Sequence, residues 1–413
     1  MNKSNLSHEN MDFISQYLLA NSGTMVPRRF TMWSALSILG MAIGRKVYVD
    51  HAHYILYPGV YLCLVGEPAS RKTTAMSQAR DMFYEVFPDY PSGVSVTSRE
   101  DIVKFMSSDQ CLRTFNNEAG EMVEWRPLAN FINEFTNFLS FNPKGMIEFL
   151  TDVYDTKFFK SSTIKRGQEF ILHPYVSILA CTTPNNIIKY LKADIIGGGF
   201  SRRIIFVYET ILPDKITFPA KSIEAYAAEK WCKDHLLKIS SLSGPFKWTP
   251  EARHSLDVWY RAIPPSVDPV LSGYFEAKDV LVQKLAMCLA AADIEPQLTF
   301  TQSNITAAIA FLESNEDNLA RLTVAVGRNE LAVPQSKMLQ LLKDRGGMMS
   351  EKEWHKTSSN DMGEREYNEV KSLLQSTDQA HFHHIMIEGK PVSFIINHDR
   401  YLSMVKSGEI KIS

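Results

Sequence analysis

The stretch YLCLVGEPASRKTTAM, residues 61–76, decides how the central part of the chain is expected to fold. A short apolar run leads into a loop that begins with Gly66, and a helix is expected to start near Lys72. The loop nearly matches the phosphate-binding pattern G-x-x-x-x-G-K-[ST], with Arg71 in place of the second glycine. Backbone N–H groups of such a loop, together with the positive end of the following helix, bind phosphate groups. The stretch therefore predicts a phosphate-binding strand, loop and helix.

The side chains of this loop predict ATP and Mg²⁺ as its ligands. We expect Lys72 to neutralise the β- and γ-phosphates and the hydroxyl of Thr73 to bind Mg²⁺. Arg71 is expected to have right-handed backbone angles at the helix start, with its side chain pointing away from the loop. Contact of its guanidinium with the γ-phosphate or a neighbouring subunit is one alternative, and a chance Gly–Lys–Thr turn is another. The predicted nucleotide-binding residues are Gly66, Glu67, Pro68, Ala69, Ser70, Arg71, Lys72, Thr73, Thr74 and Asn185.

Outward from the loop, short β-branched or aromatic runs alternate with helical segments. Buried strands that alternate with helices predict an α/β fold with a parallel sheet covered on both faces. The expected strands include KVYVD, GVYLCLVG, GVSVT, LANFIN, EFILH, YVSILACTT and RRIIFVYE. We expect four parts: an N-terminal helical segment (1–45), an ATPase core (46–219), a helical lid (220–327) and a winged-helix-like C-terminal module (328–413).

Composition limits the class of protein. The chain has 413 residues, of which 45% are hydrophobic and 22% charged, so it has enough apolar mass for two or three cores. A formal net charge of −2 means that contacts with nucleic acid must come from local basic patches. The five cysteines stand singly, mostly in apolar runs, which predicts buried thiols in a reducing compartment. The chain has neither a secretory signal pattern nor an apolar run long enough to span a bilayer, so we expect a soluble, cytoplasmic protein.

A candidate catalytic carboxylate lies about sixty residues after the loop. PLANFINEF predicts an apolar strand that ends at Asn133 and Glu134. Hydrolysis of ATP needs a group that orients or deprotonates water, and Glu134 is the candidate base. Asn133 would assist Mg²⁺ only as a neutral acceptor. The alternative is an amphipathic helix, because NFINEFTNFL also has helical spacing.

The next predicted strand, YVSILACTTPNN, becomes polar at its end. We expect this strand to lie between the loop and the carboxylate. Thr183 and Asn185 are the candidates for positioning water and sensing the γ-phosphate. A plain strand-to-helix turn, with one of these residues as the helix N-cap, is the alternative.

Two arginines precede another predicted core strand in GGGFSRRIIFVYE. Arg202 and Arg203 are candidates for an arginine finger, which reaches into a neighbouring subunit and stabilises the charge of the transition state. The alternative is a salt bridge within the chain.

The segments GEPASRKTT, FINEF, ILACTTPNN and GGGFSRRIIFVYE, in this order, resemble the AAA+ P-loop ATPase core of phage- and plasmid-encoded replicative helicases of the primase-helicase type. They are similar at lower resolution to the MCM helicases, whose SRF motif matches Ser201–Arg202. The resemblance covers roughly residues 25–295. It implies a ring, usually a hexamer, with ATP sites between subunits, and it makes Arg71 a tolerated variant. The sequence departs from the family at Asn133 and has no clear sensor-2 arginine, for which Lys278 or Lys284 is the candidate by charge.

The resemblance also implies hairpins that face the central pore and grip DNA. TKFFKSSTIKRGQEFILHPYV occupies the corresponding place, with two β-like arms around a basic tip. Basic residues there would contact phosphates, and Phe158 or Phe159 would stack on bases. Alternatively, the tip is only solvated and the aromatic residues anchor it. The predicted DNA contacts are Lys157, Lys160, Lys165 and Arg166.

The resemblance implies an ATP-driven, ring-forming DNA helicase or translocase of phage or mobile-element replication. One alternative is an AAA+ loader, initiator or defence ATPase without unwinding activity. Another is a nucleotide-binding scaffold in which Asn133 weakens hydrolysis. A packed α/β core of unrelated function is the third.

Overall fold

A computed structural model describes residues 12–93, 97–163, 167–190, 199–200, 202–264, 269–327, 332–358, 363–377, 379–387 and 390–407. The chain divides into two compact units, Met1–Thr323 and Val324–Ser413. The predicted boundaries at 45 and 219 therefore fall inside one compact unit, whereas the boundary at 327 lies close to the observed division.

The first compact unit begins with the two expected helices and a short antiparallel strand pair: α1 (Phe13–Ala20), α2 (Arg28–Ile43), β1 (Val47–Asp50) and β2 (Ile55–Leu56). Strands and helices then alternate: β3 (Tyr61–Val65), α3 (Lys72–Val86), α4 (Arg99–Ser107), β4 (Arg113–Asn116), β5 (Met122–Ile132), α5 (Phe135–Phe138), α6 (Pro143–Asp152), β6 (Phe158–Thr163), β7 (Gly167–Leu172), β8 (Pro174–Thr182), α7 (Pro184–Tyr190) and β9 (Ile204–Tyr208). Mostly helical chain follows: α8 (Ile223–Ile239), β10 (Gly244–Pro245), β11 (Lys247–Trp248), α9 (Pro250–Ala262), α10 (Pro269–Glu276), α11 (Lys278–Ala292), β12 (Thr299–Phe300) and α12 (Gln302–Gly327).

The main sheet has five strands in the order β4-β5-β8-β3-β9. Strands β5, β8, β3 and β9 are parallel, and β4 at the edge is antiparallel to β5. Every residue of β3 and β8 is buried, as expected for central strands covered on both faces. The protein is thus a mixed α/β fold with a mostly parallel sheet, as the alternation of strands and helices predicted.

Helices of the predicted lid, residues 220–327, pack against helices nearer the start of the chain. Helix α8 packs against α1 and α3, and α11 packs against α2. The chain between 220 and 323 therefore shares its contacts with the N-terminal helices rather than forming a core of its own. Of the expected strand GVSVT, residues 94–96 lie outside the described residues, while Ser92 just before them forms a parallel bridge with Ala129 of β5.

The second compact unit contains α13 (Ala332–Asp344), β13 (Met348–Ser350), α14 (Glu351–Ser358), α15 (Glu364–Ser376), β14 (Ala380–Ile387), β15 (Lys390–Asn397) and α16 (His398–Lys406). Its antiparallel sheet has the order β13-β15-β14. Trp354, Leu342 and Ile395 are completely buried in its core. The predicted order of helix, helix, helix and two strands is present, and the structure adds β13 and α16 to it.

Candidate functional site

Three neighbouring strands of the main sheet end at or near residues that the sequence predicted to bind nucleotide or to act in catalysis. The Gly66 loop, residues 66–72, follows β3; β8 ends at Thr182; and Glu134 follows β5 by two residues. The strands are parallel, so their carboxyl ends lie at one edge of the sheet. Strand β8 lies between the other two, as expected for the strand that carries the polar residue. This carboxyl edge is the candidate site.

The start of the Gly66 loop requires glycine for steric reasons. A Cβ atom at position 66 would lie 2.5 Å from Oγ of Ser70 and 3.3 Å from the ring of Phe30. The Gly66 N–H donates to the carbonyl of Thr182 at 3.3 Å, and the Ser70 N–H donates to the carbonyl of Glu67 at 3.1 Å. The loop is therefore folded back on itself and fastened to the neighbouring strand.

The conformation of Arg71 differs from the prediction. Its backbone is left-handed, with φ 63° and ψ 14°, and not right-handed as the helix start suggested. Ala69 is also left-handed, with φ 67°. A left-handed residue followed by a helical one, as in Arg71–Lys72, turns successive N–H groups to one side and forms an anion-binding concavity. Arg71 thus occupies a position where glycine is favoured, and its exposed side chain leaves the loop interior.

Lys72 lies over the loop. Its side chain is buried, with 8% of the residue exposed, and Nζ donates to the carbonyl of Glu67 at 3.2 Å. Within the described part of the chain, no carboxylate pairs with this ammonium. Thr73 and Thr74 are exposed in the first turn of α3. A buried lysine with spare donors, followed by two exposed threonines, suits a phosphate group and its metal ion.

Glu134 follows strand β5 by two residues and precedes helix α5. The helical alternative for NFINEFTNFL is therefore wrong for residues 130–132, which are strand, and correct for Phe135–Phe138. The half-buried carboxylate also caps the short helix α5. Its Oε1 accepts hydrogen bonds from the hydroxyls of Thr182 at 2.6 Å and Thr136 at 2.9 Å. Asn133 beside it is exposed. The carboxylate is therefore held in place next to solvent, as a group that activates water would need to be.

The residue of β8 whose side chain contacts Glu134 is Thr182, which the sequence did not single out. The hydroxyl of Thr183 accepts from the N–H of Asn186 at 3.3 Å at the start of α7. Asn185 lies exposed in the first turn of that helix. The parallel register explains this contact, because Ile132 pairs with Ala180 and residues 134 and 182 each lie two positions further along. No signal in the sequence distinguishes Thr182 from Thr183.

The two arginines lie at the opposite, amino edge of the sheet. They directly precede β9, whose Ile204 pairs with Tyr61 at the start of β3. At about 3.3 Å per residue, this places them roughly 15–20 Å from the Gly66 loop of the same chain. Arg202 is exposed, whereas the half-buried Arg203 donates to the carbonyl of Gly199 and lies over the ring of Tyr154. Ser201 lies outside the described residues.

The two lysines considered as substitutes for a sensor-2 arginine by charge are each paired with a carboxylate. Nζ of Lys278 pairs with Glu316 at 2.6 Å. Nζ of Lys284 pairs with Asp155 at 2.7 Å and donates to the carbonyl of Tyr57, which precedes β3. Lys284 is completely buried at the amino edge, away from the loop, and its burial lowers its pKa. Both ammonium groups therefore have a carboxylate partner within the chain, unlike Lys72.

Strands β6 and β7 form the predicted antiparallel hairpin. Its two faces differ: Phe158 is 61% and Phe170 47% exposed, while Phe159 is buried. Lys157 and Lys160 are exposed, and Nζ of Lys160 lies 5.1 Å from the centre of the Phe170 ring. Of the predicted tip residues, Lys165 and Arg166 lie outside the described residues. Phe159 is therefore the anchor, and Phe158 is the ring available for stacking.

The thiols beneath the site are core groups. Burial raises the pKa of Cys181 to about 12 and also raises the pKa of Cys63 well above its usual value, although Lys72 partly opposes both shifts. All five cysteines are buried and free, as predicted. Among the side chains that the structure describes, no three His, Cys, Asp or Glu residues form a group that could hold a metal ion. None of the described helices is long and apolar enough to cross a bilayer.

Comparison with known proteins adds no family to this geometry. No protein-family model matches the sequence, and no curated protein matches it at a significant level.

Proposed function

We propose that the protein binds ATP at the Gly66 loop and hydrolyses it with Glu134 as the base. The observation that carries the proposal is the meeting of the loop and the carboxylate at one edge of a parallel sheet. Thr182 connects them, since its carbonyl binds the Gly66 N–H and its hydroxyl binds Glu134. The sheet order, with β8 between β3 and β5, supports the AAA+ P-loop core that the sequence motifs imply.

The Gly66 loop would hold the phosphates through its backbone N–H groups, with Lys72 supplying positive charge. Mg²⁺ usually retains several waters and takes only one or two protein oxygens besides those of the phosphates. The hydroxyl of Thr73 and the amide oxygen of Asn133, both on exposed residues, fit that requirement. Bound there, Mg²⁺ would neutralise charge on the phosphate oxygens.

Glu134 would accept a proton from the attacking water. The water oxygen forms a bond to the γ-phosphorus, and the bond from that phosphorus to the bridging oxygen breaks. ADP leaves with the bridging oxygen and its electron pair, and the proton on Glu134 passes to solvent. A positioned carboxylate base accelerates such a step by about 10²–10⁴-fold.

A ring of subunits, with six as the expected number, would complete the site. Arg202 is exposed and too far from its own loop, so it fits a role as a finger in a neighbouring ATP site. Arg203 is held by Gly199 and Tyr154, which favours a supporting role. The structure therefore supports Arg202 over Arg203 as the residue that crosses the interface.

DNA is the proposed substrate of the motor, as the family resemblance implies. The hairpin presents exposed lysines beside exposed aromatic rings, a combination that suits phosphate contacts and base stacking. The order of helices and strands in the second compact unit supports a winged-helix module there. We infer a DNA helicase or translocase of phage or mobile-element replication.

ATP turnover with Mg²⁺, measured with and without single-stranded DNA, tests the proposal. Lys72→Ala should lose nucleotide binding. Glu134→Gln should bind nucleotide but turn over about 10²–10⁴-fold more slowly. Lys247→Ala, at an exposed lysine of β11, is the control and should match the unaltered protein. An unaltered protein that neither binds nor hydrolyses ATP under either condition would contradict the proposal.

A strand-separation assay on a forked DNA duplex distinguishes a helicase from the alternative functions. Strand separation that needs ATP and is lost in Glu134→Gln supports the motor. ATP turnover without strand separation would indicate a loader, initiator or defence ATPase, and nucleotide binding without turnover would indicate a scaffold.

A further inference from the structure

Two threonine hydroxyls donate to the same oxygen of Glu134. Oε1 accepts from Thr182 at 2.6 Å and from Thr136 at 2.9 Å, and the N–H of Thr136 adds a longer contact at 3.4 Å. Oε2 makes no hydrogen bond with any residue for which the structure gives contacts. The carboxylate is thus fixed through one oxygen and leaves the other for a further partner.

The positions of the two threonines follow from the fold. Register between β5 and β8 brings residue 134 opposite Thr182, and Thr136 lies in the first turn of α5, which Glu134 caps. Both threonines are buried, with 5% of Thr136 and none of Thr182 exposed. A buried hydroxyl is costly unless it is hydrogen-bonded, so each is committed to Glu134. The direction of the carboxylate is therefore set from two different elements.

Thr182 also reaches the other half of the site. Its carbonyl accepts the Gly66 N–H at 3.3 Å, so one residue touches both the start of the Gly66 loop and the catalytic carboxylate. Thr136 has no such link to the loop among the hydrogen bonds that the structure gives. Thr136 is consequently the better residue for separating the orientation of Glu134 from the binding of nucleotide.

We propose that Thr136 and Thr182 are positioning residues that hold Oε1 of Glu134 and so direct Oε2 at the attacking water. The inference rests on the proposed ATPase function. The water then loses its proton to Oε2 as its oxygen bonds to the γ-phosphorus, and ADP departs with the bridging oxygen. Without the hydroxyl of Thr136, the carboxylate has one side-chain donor fewer and rotates away from this direction.

Thr136→Val tests the proposal, because valine keeps the shape of threonine and removes the hydroxyl. The value of kcat should fall roughly tenfold to hundredfold, the usual cost of a misplaced catalytic group. KM for ATP and the affinity for a non-hydrolysable ATP analogue should stay within about twofold, since the Gly66 loop is untouched. Thr136→Ser restores the hydroxyl and should recover most of kcat.

Two controls separate positioning from folding. Thr31→Val changes another buried threonine, on α2, whose hydroxyl donates to the carbonyl of Pro27, and it should leave kcat unchanged. In a Glu134→Gln background, Thr136→Val should cause no further loss, because both changes act on one unit. Melting temperatures of all variants show whether a loss of kcat follows a loss of stability.

The outcomes distinguish this inference from the proposed function. If Lys72→Ala and Glu134→Gln abolish turnover while Thr136→Val keeps full kcat, the positioning role is wrong and the ATPase remains. If Thr136→Val lowers kcat, analogue affinity and melting temperature together, and serine does not rescue it, the role is structural and the inference is also wrong. Absence of ATP binding and turnover in the unaltered protein would overturn both.

Discussion

The buried lysines at the two edges of the main sheet differ in their hydrogen-bond and ion-pair partners. At the carboxyl edge, Lys72 has a single carbonyl partner and no carboxylate among the described residues. At the amino edge, Lys284 is completely buried and is satisfied by Asp155 and by the carbonyls of Tyr57 and Gly59. A lysine whose donors are all used stabilises the fold, whereas one with spare donors is available to a ligand. This contrast supports the proposed site at the carboxyl edge, whereas the hairpin and the two arginines lie at the amino edge.

Removal of Asp155 should have the largest effect on stability. Asp155→Ala leaves the ammonium of Lys284 buried without its carboxylate, which usually costs about 3–5 kcal/mol. Lys72→Met removes no carboxylate partner and should cost less than about 1 kcal/mol. Urea unfolding of both variants, followed by fluorescence, measures the difference.

Asp155→Asn sharpens the same contrast. It keeps an oxygen that can accept from Lys284 and should fall between the unaltered protein and Asp155→Ala. Equal stability of Asp155→Ala and Lys72→Met would show that the two edges do not differ in this way.

Replacing the exposed aromatic residues of the hairpin should weaken DNA binding without lowering the stability of the protein. Phe158 and Phe170 are exposed on one face, so replacing both with serine should change the free energy of unfolding by less than about 0.5 kcal/mol. If each ring stacks on a base, binding of single-stranded DNA should weaken by about 1–3 kcal/mol per ring. Fluorescence anisotropy with a labelled oligonucleotide measures this.

Phe218→Ser is the matched control, because Phe218 is exposed outside the hairpin. Equal DNA affinity of Phe218→Ser and of the variant with both hairpin phenylalanines replaced would mean that the hairpin is only solvated and does not bind DNA.

Lys46 is a half-buried lysine near the amino-terminal helices, and it should make stability depend on pH. Its Nζ donates to the carbonyl of Ser240, and burial lowers its pKa to about 8. In the unfolded chain a lysine has a pKa of about 10.4, so between these values the unfolded state binds more protons and stability rises with pH. The free energy of unfolding should rise, relative to Lys46→Met, by on the order of 1 kcal/mol per pH unit from about pH 8 to 10.

Urea unfolding of the two proteins at several pH values gives this slope. Parallel stability curves would mean that burial does not lower the pKa of Lys46 in the folded state.

Sequence reasoning found the elements of the site better than the individual contacts. The strand before Glu134 was predictable, because an apolar run of strand length between turn signals indicates a buried strand. The choice of Thr182 over Thr183 depends on register, which no short motif encodes. The difference between Arg202 and Arg203 depends on which side chain meets Tyr154, a contact between residues far apart in the chain. The ion pair between Lys284 and Asp155 also joins residues that are far apart in the chain.

Substitution of Arg71 is expected to have the smallest effect of these changes, and it tests the carboxyl edge alone. Its left-handed backbone costs about 1–2 kcal/mol for a residue with a Cβ atom, which glycine avoids. Glycine also loses more entropy on folding, by roughly 0.5–1 kcal/mol. Arg71→Gly should therefore stabilise the protein by about 1 kcal/mol or less, measured as a small rise in the urea midpoint.

Arg71→Ala separates the backbone from the side chain. Alanine keeps the left-handed strain, so it should give no stabilisation, and its ATP turnover reports only the loss of the guanidinium. Unchanged turnover in both variants would make Arg71 a strained substitute for glycine, with its exposed side chain free of any role in the site. Lower turnover in both variants, with stability raised only by glycine, would instead assign the guanidinium to the γ-phosphate or a neighbouring subunit. In that case the strain at position 71 is retained because the side chain contributes to the chemistry of the carboxyl edge.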